Sequence, residues 1–582
     1  MLRFLKYLGI REWVFLGFLL LTLVLQIYCD VTLPGYTEEI VEKMQAGESA
    51  GSILKTGGIM LIYAAVSVIS SMVCTVFSTT ISTSLGMRIR NEIFSHIVSL
   101  SETELRGFTP GSLLTRTTND VQQIVSALIL GLRLGIGAPL LAIMALVKIA
   151  QSGYEFTLLT GIGVFILFVG ILGVLIAVEP RIRKIQKLTD KLNGNMREHI
   201  TGIRVIRAYN AEEYQNKKFE TVSEEYRKNN VFTGRMTAVI NPLIMFVNYG
   251  LTLGIYWLGC YLILRDNNPG LFPTMFSYTQ LVAQIATAFM VMIMLLQMIP
   301  RAIVSSKRVN EVLNRNSSVT DPADPVRLSV PEKGRPVIEF ENVSYGYENA
   351  DRNVLHDISF RIMPGQTFAV IGATGSGKTT LVKLILRFFD ATEGAVRVAG
   401  TDVRNLSVKE LRSALGYVPQ KNILFTGTVR ENIAFGKADL TEEAVREAAR
   451  TACADGFISE KEGGYDARVA QRGTNFSGGQ RQRLCIARAV AGKPEICLFD
   501  DCFSALDLAT DAEVRRNLKE SMPDSTKIIV TQRAGTIRDA DQILVLRDGR
   551  AEGIGTHEEL MESCGAYRDI VYSQMDREEA LG

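Results

Sequence analysis

Long apolar stretches dominate the first half of the chain, and polar, charged segments separate them. Each approaches or exceeds the roughly 20 residues that a helix needs to cross the hydrocarbon core of a bilayer. The pattern predicts six membrane-spanning helices, at residues 13–33, 59–81, 130–149, 156–178, 240–264 and 278–299. Six spans place both ends of the chain on one side of the membrane.

The second half has a different pattern, in which short apolar runs typical of buried strands alternate with helix-like segments. Between the halves, residues 315–336 contain four prolines among polar residues: Pro322, Pro325, Pro331 and Pro336. Proline interrupts a continuous helix, so this segment is predicted to be a linker. We expect an all-α membrane domain with long cytoplasmic extensions at residues 1–314, the linker, and an α/β domain at residues 337–582.

The distribution of charge predicts the orientation. Lys and Arg crowd the second-to-third and fourth-to-fifth connections and the exit from the sixth span, whereas the first-to-second loop is acidic. The positive-inside rule therefore predicts that the α/β domain and both termini are cytoplasmic. We expect a multi-pass protein of a bacterial plasma membrane, because the N-terminus lacks an Arg- and Ser-rich transit stretch. The net charge is only +2, with 63 Lys and Arg against 61 Asp and Glu, so nothing favours nucleic acid as a partner.

A phosphate-binding loop is indicated at residues 372–379. The sequence matches G-x-x-x-x-G-K-[ST] after the strand-like run Thr367–Ile371 and before a helix-like segment, which is the context that the motif requires. Backbone amides would surround the phosphates, Lys378 would reach the terminal phosphates, and Thr379 would bind Mg²⁺. The predicted nucleotide-binding residues here are Gly372, Thr374, Gly375, Ser376, Gly377, Lys378, Thr379 and Thr380.

Further motifs follow in a definite order. Gln420 follows a strand-like run, residues 475–480 (Asn-Phe-Ser-Gly-Gly-Gln) precede a helical run, and an apolar strand ends in Asp500 and Asp501 before Ser504-Ala505-Leu506-Asp507. From about residue 337 to the C-terminus, these motifs resemble the ATP-binding cassette (ABC) transporter family. With its fused membrane domain the chain resembles a type IV exporter half-transporter. Asp501 and Gln532, which depart from the family pattern, make it resemble in particular the degenerate-site subunit of bacterial heterodimeric multidrug exporters.

The resemblance implies roles for individual residues. Tyr347 would stack on the adenine of ATP, and Mg²⁺ would be held through Thr379, Gln420 and Asp500. Gln420, counted among the catalytic residues, would sense the metal and the transmembrane domain. In this family two cassettes clamp two ATP molecules head to tail. Ser477, Gly478 and Gly479 would contact the γ-phosphate of ATP held by the other cassette. Gln480 and Asp507 are also predicted nucleotide-binding residues.

Two departures from the family pattern concern catalysis. Asp501 stands where the family usually has a catalytic Glu, and Gln532 stands where it usually has a switch His. A general base shortened by one methylene moves its oxygen by about 1 Å, and such a misplacement can cost about 10²-fold in rate, near 2.7 kcal/mol. Gln532 accepts and donates hydrogen bonds but cannot transfer a proton near neutral pH. We interpret the chain's own ATP site as degenerate; the alternative is that Asp501 is a competent base.

The expected function is ATP-driven export of hydrophobic or amphiphilic small molecules by alternating access. The chain would pair with a second ABC half-transporter, and hydrolysis would occur mainly at the site where this chain supplies Ser477, Gly478 and Gly479. The alternatives are an importer of a siderophore-like ligand, a lipid flippase or non-transporting regulatory protein, and a homodimeric exporter. The substrate class comes from the family alone.

Three features of the membrane domain leave alternatives open. Asp30, near the outer part of the first span, could bind a cation or make a hydrogen bond to a neighbouring helix. Pro34 has no N–H for the Asp30 carbonyl, which favours a kink. Met290, Met292, Met294 and Met298 could line an adaptable pocket or simply pack. Residues 110–116 and 202–209 resemble the family's intracellular loops, where we expect force transmission, and the alternative is a solvated helical extension.

Overall fold

The computed structural model of the chain describes residues 2–151, 153–267, 269–328, 334–347, 352–437 and 439–575. These residues form two compact units. The membrane unit contains Met1–His96 and Pro110–Asn314, and the cassette unit contains Ile97–Thr109 and Arg315–Gly582. Residues 329–333 of the predicted linker, including Pro331, and the C-terminal residues 576–582 lie outside the described residues.

Helices make up the described part of the membrane unit, apart from the short connections. In chain order the helices up to the linker are α1 (Ile10–Gln45), α2 (Ala50–Ser99), α3 (Glu102–Arg106), α4 (Pro110–Thr115), α5 (Val121–Leu130), α6 (Ile136–Ala150), α7 (Tyr154–Ala208), α8 (Glu212–Ala238), α9 (Ile240–Asp266) and α10 (Leu271–Leu313). The short α3 belongs to the cassette unit. Among the described residues, six helical stretches of 36 to 55 residues are long and apolar enough to span a membrane, which confirms the predicted spans.

The packing of α1 illustrates how the apolar pattern forms the core. Leu19, Leu23 and Ile27 recur every four residues, so they lie on one face of the helix, and all three are buried. They belong to the same hydrophobic cluster as Tyr278 and Leu281 of α10. Apolar residues on other faces of α1 are exposed in the isolated chain, as expected of a surface that contacts lipid.

Hydrogen bonds link α1 to its neighbours at Asp30. The Ser67 hydroxyl of α2 donates to Asp30 Oδ1 over 2.5 Å. Gln284 Nε2 of α10 donates to the Asp30 carbonyl over 2.8 Å. That carbonyl is the one that Pro34 leaves without its helical donor, although α1 continues through Pro34. The interhelix hydrogen bond proposed for Asp30 is therefore present in the structure.

The cassette unit is an α/β domain. Its strands are β1 (Ile338–Tyr345), β2 (Leu355–Ile362), β3 (Thr367–Ile371), β4 (Glu393–Val398), β5 (Thr401–Asp402), β6 (Leu415–Val418), β7 (Gly427–Thr428), β8 (Arg468–Val469), β9 (Ile496–Asp500), β10 (Thr526–Thr531), β11 (Gln542–Arg547) and β12 (Arg550–Gly555). Its remaining helices are α11 (Lys378–Ile385), α12 (Val408–Ser413), α13 (Val429–Ile433), α14 (Glu442–Thr451), α15 (Asp455–Ser459), α16 (Gly478–Val490), α17 (Leu508–Ser521), α18 (Ala534–Ile537), α19 (His557–Ser563) and α20 (Gly565–Tyr572).

A six-stranded sheet of order β12-β11-β3-β10-β9-β6 is the centre of this unit. The strands from β11 to β6 are parallel, and β12 is antiparallel at the edge. Alternate residues of β3 enter different cores: Ala369 and Ile371 pack on one face, Phe368 and Val370 on the other. Because both faces are covered, the strands are nearly continuous apolar runs. A second sheet has the order β2-β1-β4-β5, and β7 pairs with β8.

Candidate functional site

Parallel strand order brings the motif residues to one edge of the central sheet. In register, Thr531 of β10 pairs with Ile371 of β3, Val530 pairs with Asp500 of β9, and Val418 of β6 pairs with Phe499. The residues that follow these strands emerge together, because the carboxyl ends of parallel strands share one edge. Ligands in open α/β sheets bind at such edges.

A cavity of about 270 Å³ lies at this edge. It is lined by Val354, Thr374, Gly375, Gly377, Lys378, Thr379, Thr380, Gln420, Asp500, Asp501, Val530 and Gln532. Ten of these twelve are residues that the sequence analysis singled out, and the structure brings them to one place. Val354, which precedes β2, and Val530 of β10 are additions that no motif indicated.

Close backbone approach explains two of the glycines in the loop before α11. Gly377 has a φ of +100°, in the left-handed region that favours glycine. A Cβ there would lie 2.6 Å from Leu355 Cδ2 and 3.2 Å from the Val354 carbonyl oxygen. At Gly372 a Cβ would lie 2.2 Å from the carbonyl oxygen of Leu546, on β11. The loop therefore keeps its shape only without side chains at these positions.

Lys378 is folded back onto its own loop. Its Nζ donates to the carbonyl oxygens of Gly372 and Ala373 over 2.7 and 2.8 Å. Burial lowers the pKa of Lys378, although the charges of Asp501 and Asp500 act in the opposite direction. A triphosphate would provide a stronger anionic partner for this ammonium group than two neutral carbonyls.

Asp500 and Thr379 form the part of the site that fits a divalent cation. The Thr379 hydroxyl donates to Asp500 Oδ1 over 3.0 Å, and the buried Oδ2 has no donor among the described residues. Asp500 is 1% exposed, and burial raises its pKa. An ionised carboxylate in such a place is normally paired or coordinates a metal, so these oxygens fit Mg²⁺, which prefers oxygen ligands. Bound Mg²⁺ supplies positive charge to the phosphates of a nucleotide.

Asp501 and Gln532 each contact another polar residue of the cavity lining. Gln420 Nε2 lies 3.5 Å from Asp501 Oδ2, and Gln532 Oε1 accepts a hydrogen bond from the Thr374 hydroxyl over 3.2 Å. Asp501 has a φ of +49°, an uncommon conformation for a residue with a side chain, and its N–H donates to the Val530 carbonyl. The backbone thus holds the short carboxylate at the end of β9.

A second group of predicted nucleotide-binding residues does not line this cavity: Ser477, Gly478, Gly479, Gln480 and Asp507. Ser477 caps α16: its hydroxyl accepts from the Gln480 N–H, and the Gln480 side chain accepts from the Ser477 N–H. Asp507 caps α17 by accepting from the N–H and hydroxyl of Thr510, and the Thr510 N–H in particular lowers the pKa of Asp507. Gly478 and Gly479 begin α16, and no side chain would crowd a Cβ at Gly478.

Tyr347, which is predicted to stack on the adenine of ATP, lies beside the phosphate-binding loop. Its hydroxyl is 3.1 Å from the Thr380 hydroxyl, and its ring packs edge to face against Tyr345 and Phe389. An unexpected neighbour is Arg106 of α3, whose guanidinium lies over the Tyr347 ring at 4.5 Å from the centroid. In the sequence Arg106 is one of the Lys and Arg residues of the second-to-third connection, and nothing there pairs it with Tyr347. Residues 110–116 and 202–209 belong to the membrane unit, and their docking role stays a prediction.

Comparison with known proteins decides the family. Residues 16–289 match the profile of the ABC transporter transmembrane region, and residues 355–504 match that of the ABC transporter ATPase domain. An uncharacterized ABC transporter ATP-binding protein of Mycobacterium tuberculosis is 36% identical over 546 residues, 93% of each chain. The chain belongs to the ABC transporter family. The family match supports the recognition of the motifs from sequence, and an ABC ATPase domain implies an ATP-hydrolysing transporter.

Other similar proteins agree with this assignment. The uncharacterized ABC transporter ATP-binding protein YfiB of Bacillus subtilis is 32% identical and matches 97% of this ABC transporter and 96% of its own length. A multidrug efflux ATP-binding/permease protein of M. tuberculosis is 32% identical over 85% of this chain but only 41% of its own. The solved structure of a bacterial Atm1-family ABC exporter with ATP bound covers 96% of this chain and 97% of its own, with a TM-score of 0.79 and 23% identity, which shows a shared fold.

Proposed function

We propose that the chain is one half of a heterodimeric, ATP-driven exporter whose own Walker A loop forms a degenerate site. The observation that carries the proposal is the pair Asp501 and Gln532. Both line the cavity with Lys378 and Thr379, in the places where this family usually has Glu and His. The binding part of the site is complete, whereas both groups expected to assist hydrolysis are altered.

The side-chain chemistry explains why hydrolysis here should be slow. The carboxylate of Asp501 is one methylene shorter than Glu, and its backbone hydrogen bond to Val530 limits how far it can advance. A displacement of about 1 Å costs about 10²-fold in rate. Gln532 is already engaged by Thr374 and has no titratable proton. ATP at this site would mainly hold the two cassettes together.

The signature residues of this chain support a partner chain whose own ATP site can hydrolyse ATP. Ser477, Gly478, Gly479 and Gln480 form an intact signature at the start of α16, away from the chain's own cavity. An intact signature is useful only to ATP that another cassette holds. The match covers only 41% of the length of the multidrug efflux relative, as expected if this chain corresponds to one half of a two-half transporter.

The membrane unit supports transport of hydrophobic or amphiphilic molecules across a bacterial plasma membrane. Lys and Arg on the second-to-third and fourth-to-fifth connections and at the exit from the sixth span favour a cytoplasmic cassette, with both termini on the same side. Met290 and Met294 are exposed in the isolated chain, whereas Met292 packs beside Ala138 and Ala142. An adaptable apolar surface of this kind suits varied substrates.

ATPase assays on purified protein test the proposal. The chain alone, and the chain co-purified with the half-transporter that we expect to be encoded beside it, would be compared as wild type and as the Asp501→Glu, Gln532→His double variant. We expect negligible activity from the wild-type chain alone, strong activity with the partner, and loss of that activity when the partner's catalytic carboxylate is removed. The double variant should gain about 10²-fold at the repaired site.

Brisk hydrolysis by the wild-type chain alone would contradict the proposal, because it would make Asp501 a competent base and permit a homodimer. Flux in sealed vesicles separates an exporter from an importer, since the two accumulate substrate on opposite sides. If cells in which the partner lacks its catalytic carboxylate behave like wild-type cells, the protein has a regulatory role and does not act by transport.

A further inference from the structure

The short helix α3 is attached to the cassette close to the phosphate-binding helix. Glu102 Oε1 lies 2.6 Å from Lys383 Nζ, and Lys383 is on α11, directly after the phosphate loop. Glu104 Oε1 accepts from the Ser318 N–H over 3.1 Å. Burial alone would raise the pKa of Glu102, but hydrogen bonds from Lys383 and Arg106 hold it below its ordinary value. Glu102 is therefore a charged anchor for α3.

The same anchor orients Arg106. Its Nη2 donates to Glu102 Oε1 over 2.9 Å, and its Cζ lies over two aromatic rings. It lies 4.5 Å from the centroid of Tyr347 and 5.5 Å from that of Phe389. Both distances are within the range of attractive cation–π contacts. The Tyr347 ring is itself fixed by its hydroxyl contact with Thr380.

A nucleotide base and the Arg106 guanidinium have the same requirement, a flat face of Tyr347. We propose that Arg106 covers the face on which the base of a bound nucleotide stacks, so that base binding displaces Arg106 from the ring. The proposal rests on the nucleotide site described under Proposed function. Arg106 then competes with the base for the Tyr347 ring and does not contact the phosphate-binding groups.

Competition of this kind acts in both directions. A nucleotide that binds more weakly because Arg106 occupies the ring must, by linkage, weaken the Arg106 contact by the same factor when it binds. The factor expected from a partly exposed cation–π contact is about two- to five-fold. Base binding would therefore loosen one of the attachments of α3, while the Glu102–Lys383 ion pair keeps the helix on the cassette.

Binding titrations on the full-length protein test this inference. Mg²⁺-free ATP and inorganic tripolyphosphate would be titrated by intrinsic fluorescence into wild type, Arg106→Ala and Lys409→Ala. Lys409 is an exposed cation on α12, so its removal changes the net charge equally without touching Tyr347. We expect Arg106→Ala to tighten ATP binding about two- to five-fold more than Lys409→Ala does. Tripolyphosphate has no base, so its affinity should be the same in Arg106→Ala and Lys409→Ala.

A second comparison uses Tyr347→Ala, which removes the contested ring. In that background Arg106→Ala should no longer change ATP affinity, because the base and the guanidinium no longer compete. Normal tripolyphosphate binding shows that each variant is folded. Unchanged or weaker ATP binding by Arg106→Ala would overturn the inference. That result is independent of which site hydrolyses ATP, so the proposed heterodimer stands or falls on its own ATPase assays.

Discussion

At the scale of single residues, Asp500 shows that burying a carboxylate where it fits Mg²⁺ is energetically unfavourable. Burial raises its pKa above the ordinary 3.8, the nearby charge of Asp501 adds to the rise, and the hydrogen bond from Thr379 opposes it. A raised folded-state pKa means that folding favours the protonated form. The resulting stability is present below the ordinary pKa and is lost as the pH rises through the folded-state value. At neutral pH, without a bound cation, the buried Asp500 carboxylate therefore opposes folding.

We predict that Asp500→Asn stabilises the nucleotide-free protein at pH 7. The amide keeps the shape and removes the buried charge, so the thermal midpoint of cassette unfolding should rise, by about 2 to 4 °C for each kcal/mol gained. The difference should shrink as the pH falls and Asp500 takes up a proton. Adding Mg²⁺ and ATP should reverse the order, because only the wild-type carboxylate gains the cation. Differential scanning fluorimetry in detergent measures all three effects.

Asp507→Asn is the matched control for that experiment. The Thr510 N–H lowers the pKa of Asp507, so its ionised form favours folding and this contribution is lost as the pH falls. Neutralising Asp507 should not raise the thermal midpoint at pH 7. A lower midpoint for Asp500→Asn would show instead that the protein stabilises the Asp500 carboxylate without a bound cation.

Sequence could predict most of this site because its residues follow strands in recognisable motifs. Glycines at 372 and 377, a lysine and a hydroxyl at the start of α11, and an acid at the end of β9 are local requirements of phosphate and metal binding. Parallel pairing then brings them together. Arg106 could not be predicted in the same way. Its place over Tyr347 depends on tertiary packing between segments far apart in sequence, and an arginine in a basic loop carries no sign of an aromatic partner.

At the scale of elements, α1 shows how a proline is accommodated inside a membrane helix. Pro34 removes the donor for the Asp30 carbonyl, and in hydrocarbon no water replaces it. Gln284 of α10 supplies the missing hydrogen bond over 2.8 Å. Hydropathy predicted the six spans because length and apolarity are local properties. It could not predict this bond, since any of several polar residues on the other spans could have met the free carbonyl.

We predict that Gln284→Leu destabilises the membrane unit and that Pro34→Ala reduces the loss. The first change orphans the Asp30 carbonyl and should cost about 0.6 to 2 kcal/mol, the range for interhelical hydrogen bonds in membrane proteins. Alanine in place of the proline restores a backbone donor within α1, so Gln284→Leu should cost less in that background. Thermal unfolding of the four proteins of the cycle in one detergent gives the coupling energy.

Gln280→Leu provides the control, since Gln280 lies one turn earlier on α10 and its amide contacts the Thr37 hydroxyl over a longer distance of 3.5 Å. Its cost should be small and the same with or without the Pro34→Ala change. Equal losses from Gln284→Leu in the wild-type and Pro34→Ala backgrounds would mean that the Gln284 bond does not compensate for the proline.

At the scale of the whole molecule, the predicted nucleotide-binding residues fall into two groups, one that lines the cavity at the edge of the central sheet and one, the predicted signature, that does not. Family resemblance predicted this division, because head-to-tail pairing of cassettes puts each signature against the other chain's ATP. The structure of one chain supports it only through position: α16 begins away from the cavity that contains Lys378. Which ATP is hydrolysed is a property of the pair, so it must be tested on the assembled transporter.

We predict that Ser477→Ala in this chain lowers the ATPase rate of the proposed heterodimer about 10- to 100-fold, the effect of one lost hydrogen bond to a charged group. The affinity of this chain's own site for ATP should stay unchanged, because Ser477 lies outside that cavity. Losing the helix cap also costs about 1 kcal/mol of stability. Turnover and equilibrium binding on the co-purified complex separate these effects.

Thr556→Ala separates the cap from the catalytic contact. Thr556 makes the same capping box with Glu559 at the start of α19, so its loss should destabilise the cassette by a similar amount. The rate of the heterodimer should then be nearly unchanged, since α19 carries none of the predicted nucleotide contacts. If Ser477→Ala and Thr556→Ala give the same ATPase rate, Ser477 acts only as a helix cap. The ATP that is hydrolysed would then not contact this chain's signature.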